Sequence, residues 1–455
     1  MIQESILDKI LYNVKKLIPR SVFNFFQPAY HAILAYAGAL LYGFPSKKLK
    51  VIGVTGTKGK STVVYLISRL FESSGKKIAA CGSLGFKIKN KEWPNTLKMT
   101  MPGRFRLQKL MAEAVRAGCE YFVLEVTSEG IKQKRHLGIN FDCAVFTNLH
   151  KEHIESHGSF EKYYQAKQEL FKRTDNIHVI NADDVNFELF SKFHSQKTIF
   201  FGLKKGDIIA SNLKLTSEGA SFEVYGTNFN THLAGEFNVS NCLAALAVGV
   251  MYGLDLPSMK PAIESVKHIP GRMEFIQREP FNVVVDYAHT PDSLEAVYKS
   301  LKSQITNHKS QINSKFQIPN PKSEATALLR YPANRLICVL GAAGGGRDKW
   351  KRPEFGRIAE KYCDQIILTD EDPYDENPTQ ILSEIKSGIT NYQFPITNIL
   401  DRREAIKKAL SSAQAGDTVI ITGKGSETSM AVAENKKIPW SDKKVIQELL
   451  TSKQS

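Results

Sequence analysis

Six cysteines, at positions 81, 119, 143, 242, 338 and 363, are spread thinly along the chain with no CxxC pair. That pattern offers no zinc or disulfide framework, so all six are expected to be reduced core residues of a cytoplasmic protein. A membrane span needs about 20 apolar residues. The apolar run from Ala29 to Phe44 is shorter than that, is interrupted by His31 and glycines, and stops at Pro45-Ser46-Lys47-Lys48. No cleavage site follows it, which argues against a removable signal peptide. An HExxH helix is also missing. His150-Lys-Glu-His-Ile-Glu-Ser-His157 has metal-binding residue types without the zincin spacing, and histidines in such a cluster are more often hydrogen-bonded structural residues. Aromatic and basic residues are not interleaved as nucleic-acid binding would require. The formal net charge of +15 still calls for an anionic partner, or for a solvated basic surface.

What is present is an ordinary enzyme composition, 42% hydrophobic and 24% charged over 455 residues, enough for two or three domains. The chain is organised around Val51-Ile-Gly-Val-Thr-Gly-Thr-Lys-Gly-Lys-Ser-Thr62. A β-branched run ends in a glycine turn, and Val63 to Leu70 reads as a helix. Strand, glycine loop, lysine, hydroxyl and helix together grip a nucleotide triphosphate. Gly56, Thr57, Lys58, Gly59, Lys60, Ser61 and Thr62 form the expected cradle. Lys60 reaches the β/γ-phosphates, and Ser61 or Thr62 holds Mg²⁺. The general pattern wants a glycine where Val54 stands; the nearest is Gly53.

The fold expected is α/β. A helical N-terminal segment (1–48) precedes a central P-loop-type parallel-sheet ATPase domain (49–268) and a C-terminal Rossmann-like α/β domain (269–455). In the first segment Ile6, Leu7, Ile10, Leu11, Val14, Leu17 and Ile18 fall at helical spacing before Pro19. With Ala29–Phe44 it forms either a helical hairpin packed on the next domain or an interfacial helix anchored by tyrosines and lysines. Ser303 to about 333 is polar and lysine-rich, and reads as a flexible insertion. In the last domain the strands Asn282–Asp286, Leu336–Leu340, Gln365–Thr369 and Thr418–Thr422 each lead into a glycine- or acid-bearing loop, and these loops converge on one sheet edge. Glu125, closing the strand Phe122–Val126, suits either a Mg²⁺ ligand or a carboxylate capping the next loop. Arg347, in the glycine loop Gly341–Asp348, could fork onto a carboxylate or phosphate.

Taken in order, these pieces resemble the Mur ligases, and among them the UDP-N-acetylmuramoyl-tripeptide synthetases. The likeness runs from about Lys50 to Trp440. It rests on Thr55-Gly-Thr-Lys-Gly-Lys-Ser-Thr62, Glu125-Val-Thr-Ser128, Phe146-Thr-Asn-Leu149, Tyr164-Gln-Ala-Lys167 and Asn181-Ala-Asp-Asp184. It continues through Gly235-Glu-Phe-Asn238, Pro270-Gly-Arg-Met-Glu274, Asp286-Tyr-Ala-His-Thr-Pro-Asp292, Arg347-Asp-Lys349, Asp401-Arg-Arg-Glu-Ala405 and Gly423-Lys-Gly-Ser-Glu427. The resemblance implies ATP on the cradle, and Mg²⁺ held by Ser61, Glu125, His153 and Lys167, the last as an N6-carboxylysine. It implies catalytic roles for Lys60, Glu125, His153 and Lys167, and nucleotide contacts from Asp286, His289 and Asp348. Thr100, Thr127, Gln133 and Arg135 match positions that touch the muramoyl-peptide. Arg347, Glu371, Asp372, Gly423 and Glu427 match the surroundings of the incoming amino acid.

The implied reaction phosphorylates the D-glutamate carboxylate of UDP-muramoyl-dipeptide, after which an amine attacks the acyl phosphate. The implied protein is a monomeric cytoplasmic enzyme with no nucleic-acid partner, and residues 29–44 offer peripheral contact with the inner face of the membrane. The family's N-terminal UDP-binding domain needs more than 48 mostly helical residues. The substrate is therefore expected to be gripped differently, supplied by a partner, or lipid-linked. Glu371-Asp-Pro-Tyr374 stands where the family typically reads Asp-Asn-Pro-Arg, removing a bidentate carboxylate clamp and leaving lysine or diaminopimelate open. Glu129, Glu152 and Ser426 are further departures, at positions where the family carries histidine, aspartate and histidine. Folylpolyglutamate synthase, which shares the architecture and acyl-phosphate chemistry, is the rival enzyme; a silent membrane-associated scaffold is the rival without chemistry.

Overall fold

The computed structural model describes residues 20–315 and 334–452, apart from Lys98, His153, Ser217, 392–394 and Asn435. The helix expected over Ile6–Ile18 and the part of the insertion from 316 to 333 lie outside the described residues. No helix among the described residues is long and apolar enough to cross a membrane.

Helix α1 (Arg20–Leu41) begins well before Ala29 and carries Pro28 within it. Its small residues Ala35, Gly38 and Ala39 are buried, which lets the backbone lie close on its neighbour. A Cβ at Gly38 would stand 3.5 Å from Phe105. The packed-helix expectation therefore describes one face of α1.

Nine strands make the first sheet: β1 (Lys50–Thr55), β2 (Ile78–Cys81), β3 (Phe86–Ile88), β4 (Lys91–Trp93), β5 (Tyr121–Glu125), β6 (Phe141–Phe146), β7 (Ile177–Asn181), β8 (Lys197–Gly202) and β9 (Ile208–Ile209). Their spatial order is β4-β3-β2-β5-β1-β6-β7-β8-β9. Pairing is parallel from β2 through β9, with β3 and β4 an antiparallel edge. β1 sits between β5 and β6, and its side chains alternate between two cores, as strand geometry requires. Ile52 and Val54 join one core, with α2 (Lys60–Ser73); Val51 joins the other, with α3 (Arg104–Arg116) and α4 (Phe160–Phe171). Burying each such residue contributes roughly 1.5–3 kcal/mol. β10 (Ser211–Thr216), β11 (Gly219–Val224) and β12 (Thr227–Thr231) form the expected antiparallel meander. Helix α5 (Glu236–Met251), apolar from Cys242 onward and mostly buried, closes this part in the interior.

The second sheet holds β13 (Glu274–Gln277), β14 (Asn282–Asp286), β15 (Leu336–Leu340), β16 (Gln365–Leu368), β17 (Ile396–Asn398) and β18 (Thr418–Thr422) in the order β13-β14-β18-β15-β16-β17. All pairings but the first are parallel. Helices α6 (Pro291–Lys315) and α7 (Lys351–Tyr362) cover one face; α8 (Arg402–Ser412) and α9 (Asp442–Thr451) cover the other.

Two expectations are corrected here. The insertion expected from Ser303 is helical through Lys315, because α6 continues. Leu294, Val297, Tyr298, Leu301 and Ile305 seat it at helical spacing, and the polar residues that follow are compatible with extending a helix already started. Cys338 and Cys363 form a disulfide, with their Cα atoms 6.1 Å apart; Cys81, Cys119, Cys143 and Cys242 are free and buried. The return through α7 brings Cys363, two residues before β16, alongside the middle of β15, a proximity that 25 positions of sequence conceal.

Candidate active site

β1 runs out at Thr55, and the chain turns at Gly56 (φ 145°) and Gly59 (φ 81°) before α2 begins. Only glycine fits at either turn. A Cβ on Gly56 would stand 1.9 Å from Thr147 Oγ1, and one on Gly59 would stand 2.3 Å from Asn241 Oδ1. The loop is clamped from outside: the Lys58 N–H donates to Asn148 Oδ1 at 2.7 Å, and Thr147 Oγ1 donates to the Lys58 carbonyl at 2.6 Å. Thr57 Oγ1 lies 3.0 Å from the Tyr163 hydroxyl. Lys60 Nζ folds over the loop and donates to the carbonyls of Gly56 (3.0 Å) and Thr57 (2.8 Å).

Register carries Glu125 to this loop, since β5 pairs with β1 so that Glu125 lies opposite Val54. Its carboxylate accepts from Ser61 Oγ at 3.1 Å to each oxygen, and from the Ser83 N–H at 2.9 Å. Helix α4 supplies Lys167, buried, with Nζ donating to the Gly56 carbonyl at 2.7 Å and lying 4.4 Å from the Tyr163 ring centre. Burial first, and the charge of Lys60 next, hold the Lys167 amine well below the usual lysine range. Burial likewise lowers Lys58 to about 8, despite its 3.1 Å contact with Glu152. Several lysines thus crowd a turn whose near carboxylates are Glu125 and Glu152. A polyanion at that turn would relieve this excess of positive charge, so the residues fit a nucleotide triphosphate. Glu125 and the Ser61 hydroxyl are the hard oxygen donors that Mg²⁺ takes beside phosphate. Among the described residues no three His, Cys, Asp or Glu side chains gather as a metal set. His153 lies outside the described residues.

The second sheet meets this cradle with its strand ends. His289 Nδ1 faces the Tyr287 carbonyl at 2.7 Å, and Nε2 lies 3.3 Å from Glu152. Lys351 Nζ donates to the His289 carbonyl at 3.2 Å. Asp348 accepts from the Glu155 N–H, and Glu155 accepts from the Lys349 N–H, both at 3.0 Å. Asp286 is committed elsewhere: it accepts from the N–H groups of Met273 (2.7 Å) and Ala288 (2.6 Å), fixing the loops that carry Arg272 and His289.

The loops after β15, β16 and β18 converge as the strand pattern implies. Asp372 and Glu427 are both ion-paired to Lys424, with Asp372 at 2.9 Å through each oxygen. A Cβ on Gly423 would stand 2.3 Å from Glu371 Oε2. That oxygen is buried and has no hydrogen-bond partner among the described residues, and burial pushes the Glu371 carboxyl up to about 7. Arg347 is exposed and lies against Tyr374 and Tyr287. At the opposite end, Thr127 caps the short helix Ser128–Lys132 by accepting from the Gly130 N–H. Gln133 Oε1 accepts from Arg135 at 2.6 Å, and Arg135 also donates to the carbonyl of Met101, next to Thr100. Arg104 donates to the Gln133 carbonyl; burial and the Arg135 charge lower it to about 10. Two neighbouring guanidiniums suit an anionic ligand.

Sequence reasoning gave no role to Ser83, Tyr163, Asn241, Lys351 or Arg104. Tyr163 and Lys167 lie four positions apart on one face of α4, the signal that could have found the tyrosine.

The chain matches two family models, the Mur ligase middle domain over residues 54–249 and the Mur ligase glutamate ligase domain over 271–312 and 322–425. It is 35% identical over 425 residues to UDP-N-acetylmuramoyl-L-alanyl-D-glutamate–2,6-diaminopimelate ligase 1 of Clostridium acetobutylicum, covering 92% of this chain and 81% of that one. The corresponding ligase of Thermosynechococcus vestitus is 37% identical over 408 residues, 86% of this chain and 74% of its own. A solved structure of such a diaminopimelate ligase superposes with a TM-score of 0.58 at 32% identity, covering 90% of this chain and 79% of that chain. Folylpolyglutamate synthase of Mycobacterium tuberculosis, solved with ADP and AMPPCP, superposes at 0.67 but at 18% identity, over 86% of this chain and 92% of its own. That second likeness is one of fold alone.

Proposed function

This chain belongs to the Mur ligase family, and from that premise we propose that it is an ATP-dependent, ADP-forming acid–amino-acid ligase of peptidoglycan synthesis. It adds the third amino acid, diaminopimelate or L-lysine, to UDP-N-acetylmuramoyl-L-Ala-D-Glu in the cytoplasm. The observation that carries this reading is the meeting of Lys60, Glu125 and Lys167 at one glycine turn in a chain 35% identical to a diaminopimelate ligase. Residues 49–268 act as the ATP-binding domain and residues 269–455 bring the amino acid.

ATP supplies the phosphoryl group that activates the D-glutamate carboxylate, and Mg²⁺ neutralises phosphate charge. The protein's own work is positioning and electrostatics. The cradle's N–H groups and Lys60 hold the triphosphate, and Glu125 and Ser61 offer Mg²⁺ its protein oxygens. The Lys167 amine, which burial favours in its neutral form, supplies the lone pair that attack on CO₂ requires: its nitrogen bonds to carbon, one C=O π pair moves onto oxygen, an N–H proton passes to solvent, and an anionic carbamate replaces the neutral amine. Thr100, Thr127, Gln133 and Arg135 orient the muramoyl-peptide. Glu371, Gly423 and Glu427 line the amino-acid side, and His289, Lys351 and Asp348 close over the cleft to exclude water.

The test supplies purified protein with ATP, Mg²⁺ and UDP-N-acetylmuramoyl-L-Ala-D-Glu, offers amino acids singly, and follows ADP and product mass. Product carrying diaminopimelate or lysine is expected. ADP release that depends on a folate and glutamate instead would transfer the assignment to the folylpolyglutamate class, and no turnover with any acceptor would leave a scaffold.

A further inference from the structure

Helix α1 has two unlike sides. Ala35 and Ala39 are buried beside Gly138, and Gly38 between them lies against Phe105 of α3, while Ile33 (67% exposed), Tyr36 (49%), Leu40 (71%) and Leu41 (68%) lie along the opposite edge. Ala29 and Ala37 are exposed beside them, and no charged residue occurs between Ser21 and Ser46. An exposed helix edge of this kind, apolar and uncharged, marks a contact surface. Both ends of the stretch are basic, with Arg20 before it and the exposed Lys47 and Lys48 after it. The preceding residues repeat the pattern, with seven apolar residues at helical spacing interleaved with Lys9, Lys15 and Lys16.

We propose that the exposed edge of α1 docks on an anionic phospholipid surface, lying in the interface with its flanking lysines on lipid phosphates. A spanning helix is not available, since α1 is not long and apolar enough. A second copy of the chain is the weaker occupant: four part-exposed side chains on one helix fall short of the about 800 Å² per partner of a stable dimer. Lysines flanking an apolar strip, in a chain of net charge +15, complement a negative bilayer instead. The buried side of α1 rests on α3, whose first residue, Arg104, is joined through Gln133 to Arg135. Docking therefore brings the muramoyl-peptide end of the cleft to the membrane side of the protein.

The full chain is sedimented with vesicles of phosphatidylglycerol and phosphatidylcholine, and with phosphatidylcholine alone, at low and high salt. Binding is expected only with the anionic vesicles, and weaker in salt. Ile33→Glu/Leu40→Glu is expected to weaken it about tenfold or more, and Lys47→Glu/Lys48→Glu by about tenfold. Thermal melting separates a lost surface from a lost fold, and the lysine pair carries the decision if the first variant unfolds. No binding by the parent protein, or equal binding by the folded variants, overturns the proposal. So does a dimer that Ile33→Glu/Leu40→Glu turns into a monomer, because the edge would then be covered by a second copy. None of these outcomes depends on ligase activity.

Discussion

Two buried titratable groups decide how this site behaves with pH. Burial holds the Lys167 amine well below the usual lysine range, where it packs between the Gly56 carbonyl and the Tyr163 ring. An ordinary surface lysine would be protonated and inert to CO₂. Lys167→Ala is expected to lose about a hundredfold or more in kcat, with formate or bicarbonate restoring part of it. A fully active variant removes the carbamate from the mechanism. Glu371 runs the other way. Its folded carboxyl titrates near 7 rather than 4.5, because burial outweighs Arg402 and Lys424 nearby. Between those two values the native state holds a proton that the unfolded chain has released, so stability falls as pH rises through the window. Glu371→Gln removes that dependence. Relative to the parent, the variant is expected to gain up to about 2–3 kcal/mol between pH 5 and pH 8, read from urea midpoints at each pH. A parallel pH profile for the two proteins would count against a buried, protonated Glu371.

At the scale of elements, the strand ends are held in register by Arg402 at the start of α8. Its guanidinium is fully buried and forks onto Asp442 of α9 at 2.8 Å through two nitrogens. It also donates to the carbonyls of Asp370 (3.1 Å) and Thr422 (2.8 Å), so it ties the ends of β16 and β18, where the loops proposed to line the amino-acid side begin. Arg402→Met leaves Asp442 buried without that partner and is expected to cost about 3–5 kcal/mol. Arg402→Met/Asp442→Leu should recover much of the stability in chemical denaturation, yet not the activity, because the loop anchors stay broken. The strands themselves were legible in the sequence: β1, β5, β6 and the four central strands of the second sheet are continuous apolar runs, as strands buried on both faces must be. So was the cradle, whose glycines and lysine are adjacent in sequence. Less legible was whatever depends on return of the chain. The Cys338–Cys363 bond and the Asn241 and Thr147 clamps on the glycine turn join residues whose proximity is made by sheet order. Helix α6 was missed beyond Ser303 because the apolar periodicity of the sequence fades there, while the helix continues to Lys315.

At the scale of the molecule, the site exists only where the two sheets face each other. Among the described residues, polar contacts cross that gap between Glu152 and His289, Asp348 and the Glu155 N–H, Glu155 and the Lys349 N–H, and His150 and Asp292 at 3.8 Å, and Phe237 packs against the core of the second sheet. Such contacts do not amount to a large apolar interface, so closure is suited to being made and broken in each cycle. Asp348 and Glu155 form the reciprocal pair, each accepting from the other's side of the gap. Asp348→Ala breaks half of it while leaving both cores intact. The melting temperature is therefore expected to change little, whereas kcat falls about tenfold and the nucleotide-bound protein scatters as a more extended particle. The pairing of readouts matters, because Asp348 also lies where the resemblance implies a nucleotide contact. A residue that only bound nucleotide would raise the KM for ATP without altering the scattering radius at saturating ATP. A latch would alter that radius even at saturation. A rise in KM with an unchanged radius would therefore assign Asp348 to the ligand and leave closure to Glu152 and His289.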